Sequence, residues 1–341
     1  MIDLVTGSSG LLGRVLVARL RAAGRCVRLL DVLPPPADLP GDGVEPVVAD
    51  LRDAGAVRAA ARGVEVIYHL AAAQRMKPQF AALGEDEIRA MNVTGVANVL
   101  AAARAERVRK VVFVSSSGVY GIPTTVPVGE DHPQRPLGAY GRSKIEAERL
   151  CLEWAAAGGD VTILRPMSLF GPHMSGVFIL LFDWVRRGKN VYLLGRGENR
   201  VQMVNADDVA EACVRAAAMP AARGLALNLG ADGVPTVRAQ VEALVQHARS
   251  RSRVVPVPAA LVRTAARALG LLGLSPIVPE HYLLADATFV LDTTRARTVL
   301  GWTPRLDNVA LTCAAYDWYA THAGEAAPRR SAVLALLDAF S

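Results

Sequence analysis

Ile2-Asp3-Leu4-Val5-Thr6-Gly7-Ser8-Ser9-Gly10-Leu11-Leu12-Gly13 is the stretch whose reading decides the fold. Ile2–Val5 is a short apolar strand, and Gly7, Gly10 and Gly13 follow it at once. Leu11, Leu12, Val15, Leu16, Ala18 and Leu20 then recur at helical spacing up to Gly24, a C-terminal stop. A second strand, Cys26–Leu30, ends in Asp31, eighteen residues beyond Gly13. Strand, glycine turn, helix, strand and acid in that order make the layout of a dinucleotide site. Gly7 permits the tight turn, Gly10 lets backbone approach a pyrophosphate, and Gly13 lets helix pack on strand. Leu11 and Leu12 open a helix whose free N–H groups face the phosphates. The Asp31 carboxylate can accept the adenosine ribose hydroxyls and would repel a 2′-phosphate, so the pattern predicts NAD rather than NADP. The spacing is G-x-x-G-x-x-G and not G-x-G-x-x-G, so the surrounding strand-helix-strand context carries the reading.

Further strand-like runs stand at Val44–Ala49, Val64–His69, Val111–Val114 and Val161–Leu164, separated by helical patterns at Ala54–Ala61, Ile88–Ala105 and Ser143–Ala157. Such alternation predicts an α/β protein, a Rossmann-type doubly wound parallel sheet with helices on both faces. Ligand contacts belong just past the carboxyl ends of those strands. Asp50-Leu51, Leu70-Ala71-Ala72 and Ser115-Ser116-Ser117 occupy such positions. The NAD-binding domain is expected at 1–165 plus about 205–228. A smaller mixed α/β substrate-binding lobe is expected at about 166–204 and 229–341.

Tyr140 and Lys144, in Ala139-Tyr140-Gly141-Arg142-Ser143-Lys144, lie four apart at the start of a helical pattern. Four residues turn about 400° and rise roughly 6 Å, so ammonium and phenol share a face. A free phenol titrates near pH ~10, and a cation within ~4–6 Å favours the phenolate. The pair therefore suits a general base working near neutrality.

The composition excludes several classes. Of the 341 residues 52% are hydrophobic and 21% charged, an ordinary soluble globular balance with ample core. The Met1-Ile2-Asp3 start runs straight into a strand pattern, which predicts no signal peptide, and no uncharged run is long enough to span a bilayer. Cys26, Cys151, Cys213 and Cys313 are widely spaced, and neither they nor the 6 histidines show ligand spacing. Free thiols in the cytoplasm and no metal site are expected. The net charge of +6 comes from scattered arginines, densest at Arg249, Arg251 and Arg253, with no aromatic platform beside them. Nucleic-acid binding is not expected.

With these stretches in view, the chain resembles the extended short-chain dehydrogenase/reductases, and within them the NAD-dependent epimerase/dehydratase group. The resemblance runs from about residue 2 to about 320. It includes His69-Leu70-Ala71-Ala72, Asn92-Val93-Thr94-Gly95, Val119-Tyr120-Gly121, Leu164-Arg165-Pro166, Phe170-Gly171-Pro172, Asp207-Asp208-Val209 and Leu300-Gly301-Trp302. It implies that Ser116, three before Val119-Tyr120-Gly121, is the catalytic hydroxyl, with Ser115 and Ser117 as the flanking candidates, acting with Tyr140 and Lys144. Lys144 would also bind the nicotinamide ribose, Asp50 and Leu51 meet the adenine, Leu70, Ala71 and Ala72 run along the cofactor, and Asn92 braces the site. Gln74, Ser117, Ser168 and Arg200 are the candidate substrate contacts. A homodimer joined through helices 88–105 and 143–157 is implied, with Ile145, Leu152 and Trp154 supplying apolar surface.

Departures from the family pattern narrow the reaction. The dehydratases place an acidic pair after the catalytic hydroxyl, where this chain has Ser117 and Gly118. Ser168 stands where sugar-nucleotide epimerases carry an asparagine, and Arg200 is displaced by one from their arginine. His281–Asp286 lacks the arginine of their Arg-x-Gly-Asp element. The expected function is NAD-dependent epimerisation or oxidation of a secondary hydroxyl, through a keto intermediate, on a sugar nucleotide or related sugar-containing substrate. The alternatives are a hydroxy dehydrogenase or ketoreductase on a less charged, hydroxysteroid-like substrate, and a non-catalytic NAD-binding regulator. The apolar run 254–279 reads as a packed helix pair or as a wall for a lipophilic substrate. Residues 325–330 read as a linker, and Leu334, Leu337 and Phe340 stripe a terminal helix.

Overall fold

In the computed structural model, residues 1–37, 39, 41–74, 80, 82–172, 174, 177–258 and 286–323 are described. Most of the 254–279 run, the segment 281–285, the linker 325–330 and the terminal stripe lie outside the described residues.

The chain begins as expected. Strand β1 (Ile2–Thr6) enters the glycine turn, α1 (Leu11–Ala22) follows, and β2 (Cys26–Asp31) returns parallel to β1. Then come β3 (Val44–Val48), α2 (Ala54–Ala61) and β4 (Val64–His69). A long helical segment follows: α3 (Glu85–Arg89), a π turn over Ala90–Thr94, and α4 (Gly95–Ala105). The helix read from Ile88 thus starts at Glu85, because the first-turn acids Glu85, Asp86 and Glu87 favour the positive end of the helix dipole. After β5 (Lys110–Val114), α5 (Ala139–Ala156), β6 (Val161–Pro166) and β7 (Ser168–Phe170), the chain forms α6 (Val177–Arg187) and β8 (Val191–Leu194). The remaining described elements are β9 (Met203–Asn205), α7 (Ala206–Ala218), β10 (Ala226–Leu229), α8 (Val237–His247), β11 (Val254–Val257), α9 (Thr294–Leu300) and α10 (Asn308–Thr321).

Among the described residues the main sheet has seven strands in the order β10-β6-β5-β4-β1-β2-β3, every neighbouring pair parallel. Sequence order runs outward in both directions from the β1–β4 boundary, and a crevice opens there at the carboxyl ends of the strands.

Successive strand residues face opposite layers, and both layers are apolar. Val5, Leu29, Val66, Tyr68 and Val112 join Leu12, Leu16 and Leu20 of α1 and Val209, Cys213 and Ala216 of α7. Leu4, Leu30, Ile67, Val111 and Phe113 face the other way, onto Val57 of α2, Val99 of α4, and Ala147 and Cys151 of α5. Each such leucine taken fully out of water contributes about 1.5–3 kcal/mol. A third core gathers Phe170, Phe182, Val191, Leu193, Leu244, Tyr316 and Tyr319 from β7, α6, β8, α8 and α10. Phe182 meets Tyr316 edge-on at 5.8 Å.

Candidate active site

A cleft of about 580 Å³ runs along the carboxyl edge of the sheet. One end holds Gly7, Gly10, Leu11, Leu12, Gly13, Asp31, Asp50 and Leu51. Its middle and far end hold Leu70, Ala71, Ala72, Gln74, Ser116, Ser117, Tyr140, Lys144 and Ser168. The sheet has thus brought these residues together from stretches spread over 162 positions (7 to 168) of the sequence. Asn92 sits behind the cleft wall. Arg200 lies elsewhere, at a separate depression of about 220 Å³ with Gln202, Asp232 and Thr293. Its neighbour Val201 packs against the third core.

The glycine turn is built for close approach. Gly7 has φ 71°, and a Cβ there would stand 2.7 Å from the Ala71 backbone. One on Gly13 would stand 2.4 Å from the Gly7 carbonyl oxygen. Helix α1 has no side-chain cap and no acid in its first turn, so its opening N–H groups remain available. The Ser9 and Ser115 hydroxyls are buried without a protein partner. The Asp31 carboxylate is held by the backbone N–H groups of Ser9 at 3.0 Å and Leu33 at 3.2 Å. An anion-accepting helix end, unpaired hydroxyls and a fixed acid at the ribose position fit a dinucleotide. Ser115 stands among the expected contacts past the end of β5, whereas Ser9 does not, because serines in glycine-rich turns are common and only burial shows that this one lacks a partner.

Asp50 lines the cleft with its carboxylate clamped by Arg52, whose Nη2 donates at 2.6 Å. That hydrogen bond holds the Asp50 carboxyl below the usual carboxylate range.

At the far end, Ser116 closes β5 and caps a short 3-10 turn, its Oγ accepting the Gly118 N–H at 3.1 Å. That turn lies directly on the start of α5. A Cβ on Gly141 would stand 2.7 Å from the Gly118 carbonyl oxygen, so backbone meets backbone here and nothing larger than glycine fits. Tyr140 is thereby set beside Ser116. Burial pushes the phenol up to about 12, and a hydrogen bond from the Ser116 hydroxyl works against that rise. Lys144, 2% exposed, donates from Nζ to the Val114 carbonyl at 2.8 Å. Its ammonium stands 4.7 Å from the Phe113 ring centre and 5.8 Å from that of Tyr140. The sequence reading expected Lys144 to depress the phenol. In the protein alone, desolvation of the buried ring outweighs the Ser116 hydrogen bond, and the phenol stays above its ordinary value.

Asn92 sits in the π turn, an irregularity that re-aims a single side chain. Its amide nitrogen donates to the Ala73 carbonyl at 3.0 Å and to Ser143 Oγ at 2.9 Å, and its oxygen accepts the Ala73 N–H at 2.7 Å. Ser143 in turn donates to the Tyr140 carbonyl at 2.8 Å. Asn92 therefore ties the segment flanking the cofactor cleft to the first turn of α5. Ser143 was in plain view between Tyr140 and Lys144, but only packing reveals its partner. His69, stacked 5.6 Å from Phe113, hydrogen-bonds Thr6 Oγ1 at 2.7 Å. Burial, then the Lys144 charge, pushes its imidazole down to about 3.

Among the described residues no cluster of ligating side chains can hold a metal ion, and no helix is long and apolar enough to cross a membrane.

Residues 4–230 match the NAD dependent epimerase/dehydratase family. A UDP-glucose 4-epimerase of Mycolicibacterium smegmatis is 33% identical over 328 residues, 90% of this chain and 94% of its own length. A 4-hydroxy-2-methyl-3-oxo-4-farnesyl-3,4-dihydroquinoline-1-oxide ketoreductase of Stigmatella aurantiaca is 28% identical over 319 residues, 90% of this chain and 93% of its own. Of the solved structures, MoeE5 in complex with UDP-glucose and NAD is similar with a TM-score of 0.76 at 26% identity, covering 95% of this chain and 100% of that one. A family match over well more than half the chain, joined to a full-length relative at one-third identity, sets the conclusion: the chain belongs to the NAD-dependent epimerase/dehydratase family and is an NAD-dependent enzyme.

Proposed function

We propose that this protein oxidises a secondary hydroxyl to a ketone, and epimerises that carbon when the ketone is reduced again on its other face. The observation that carries the reading is the Ser116 hydroxyl set against the Tyr140 phenol, with the Lys144 ammonium beneath. Tyr140 takes the proton of the substrate hydroxyl, and the single Ser116 proton, which faces the phenol in the free protein, turns to the reacting oxygen and orients it. NAD, held by the glycine turn and Asp31, would supply the hydride acceptor and, when oxidised, a positive charge. Bringing a phenol from about 12 to neutrality requires roughly 6–7 kcal/mol at about 1.36 kcal/mol per pH unit. The Lys144 charge therefore works together with the loaded cofactor, and the Ser116 hydrogen bond assists until substrate takes it. Asp31 receives the adenosine ribose, and the α1 N-terminus the pyrophosphate.

For the substrate, the full-length similarity to a UDP-glucose 4-epimerase supports a sugar nucleotide, turned over through a keto intermediate. A second reading, a less charged hydroxy or keto compound, is favoured by the lining. Among the described lining residues the charged side chains are Asp31, Asp50 and Lys144. Phe80, Met91, Leu169, Met174 and Phe178 also line the cleft. The ketoreductase similarity points the same way. Gln74, Ser117 and Ser168 are the polar substrate contacts in either case; Arg200 is left out because it faces the other depression. The domain built on the main sheet is assigned to the cofactor, and the elements around the third core to the substrate. The four unbridged cysteines suit the cytoplasm. Assembly as a homodimer through the outer faces of α4 and α5 completes the proposal.

Single-turnover formation of NADH, with cofactor saturating, tests the chemistry on UDP-glucose and on a neutral alicyclic alcohol. Tyr140→Phe should lower the rate by about 10²–10⁴ while NAD affinity changes little. A variant keeping more than about a tenth of the rate would remove Tyr140 from the role of base.

A further inference from the structure

Arg165, 5% exposed near the end of β6, hydrogen-bonds two separate parts of the chain that lead to the active site. Its Nε and Nη2 donate to the two carboxylate oxygens of Glu148 at 2.9 and 2.7 Å. Glu148, 2% exposed, lies on α5 four residues beyond Lys144, one further turn along the helix that begins with Tyr140. Its Oε2 also accepts the Gln134 amide at 2.9 Å. The third nitrogen, Nη1, donates to the Tyr120 hydroxyl at 2.8 Å and to the Glu130 carbonyl at 2.9 Å. Tyr120, fully buried, follows the 3-10 turn that starts from Ser116, and its backbone N–H bonds back to the Ser117 carbonyl at 3.1 Å. Its hydroxyl proton goes to Asn228 Oδ1 at 2.8 Å.

Stability alone does not account for this arrangement. A buried ion pair costs several kcal/mol per ion in lost hydration, and an apolar pair of equal volume often does as well or better. What the bidentate guanidinium adds is direction, since its planar fork fixes both distance and orientation of the carboxylate. Direction is what the neighbouring site needs. Ser116 and Tyr140 are separated by 23 residues, of which Tyr120–Gly138 form neither helix nor main-sheet strand. Error in so long a connection would fall on the two hydroxyls, and a misplacement of about 1 Å can cost about 10²-fold in rate. In front, the Gly118 backbone bears directly on Gly141. Behind, Arg165 joins Tyr120 to Glu148.

We propose that Arg165 is a positioning residue: through Tyr120 on one side and Glu148 on the other, it sets the Ser116 hydroxyl against the Tyr140 phenol. The proposal rests on the reading of Ser116 and Tyr140 as the reacting pair, but its test does not use turnover. Tyr120→Phe is the sharpest variant, because it deletes one oxygen and leaves the buried ring in place. Arg165→Met would strand Glu148 as an unpaired buried charge and risks losing the fold.

The NAD-bound protein is labelled with [ζ-13C]tyrosine, the Tyr140 resonance is assigned with Tyr140→Phe, and its titration is followed by NMR. Wild type, Tyr120→Phe, Ser116→Ala and the double variant are compared, each checked for unchanged NAD affinity. Lys144, the cation facing the ring, is the same in all four. Ser116 favours the phenolate, so either single substitution should move the midpoint upward by about half a pH unit or more. The double variant should go no further than Ser116→Ala, because Tyr120 acts through Ser116. A Tyr120→Phe midpoint equal to wild type, or effects that simply add, would overturn the proposal. Failure of the underlying reading shows separately, as undiminished turnover in Tyr140→Phe.

Discussion

Asp31 allows the cofactor preference to be worked out in energy. Its carboxylate cannot swing aside, since one oxygen is held by the Ser9 N–H at 3.0 Å and the other by the Leu33 N–H at 3.2 Å. A 2′-phosphate carries about 1.5–2 negative charges and would come within roughly 5 Å of that fixed charge. One charge pair at this distance repels by about 0.8 kcal/mol in water and about 3 kcal/mol at an effective dielectric of 20. Asp31 is half-buried at the cleft, so about 2 kcal/mol for the whole phosphate is a conservative value. Losing a charge-assisted hydrogen bond to the ribose hydroxyl adds about 1.5 kcal/mol. The sum predicts NAD binding tighter than NADP by between about two and three orders of magnitude, and by at least about tenfold. Asp31→Asn keeps an acceptor but removes the charge, so the NAD-to-NADP ratio should fall about tenfold or more. Raising the salt should narrow the wild-type preference as well. Titration calorimetry on cofactor-stripped protein measures both ratios. Wild-type protein binding NADP as tightly as NAD, or an Asn variant with an unchanged ratio, would refute the assignment of Asp31 to the ribose.

Two other expectations concern stability and assembly. The His69 imidazole is held down to about 3 against an ordinary 6.5, so as pH falls the unfolded chain takes up this proton first. Its contribution is complete above about 6.5 and lost as pH falls towards 3, which at pH 5 amounts to about 2 kcal/mol. Urea midpoints at pH 7 and pH 5 should therefore converge in His69→Asn relative to wild type; an equal fall in both proteins would exclude the residue. Of the three apolar residues expected at the dimer seam, Ile145 and Trp154 pack against the cores, and Leu152 remains 43% exposed. Light scattering should give about twice 36.1 kDa for wild type and a smaller mass for Leu152→Arg. A wild-type monomer at micromolar concentration rules the dimer out.

The strand-glycine-helix-strand opening was legible because each of its signals is local. Gly7 needs a positive φ, the α1 leucines repeat at helical spacing, and Asp31 closes an apolar strand. Tyr140 and Lys144 were legible for the same reason: four residues on one helix share a face whatever the rest of the chain does. Tertiary structure alone decided the balance of forces on the phenol, because desolvation depends on what surrounds a ring and not on its sequence neighbours. It also set Arg200 at a separate depression, which spacing in the sequence does not indicate. The strut from Tyr120 through Arg165 to Glu148 joins positions 120, 148 and 165, and nothing local marks them as partners. They meet because β6 and α5 pack side by side, which only the folded sheet brings about.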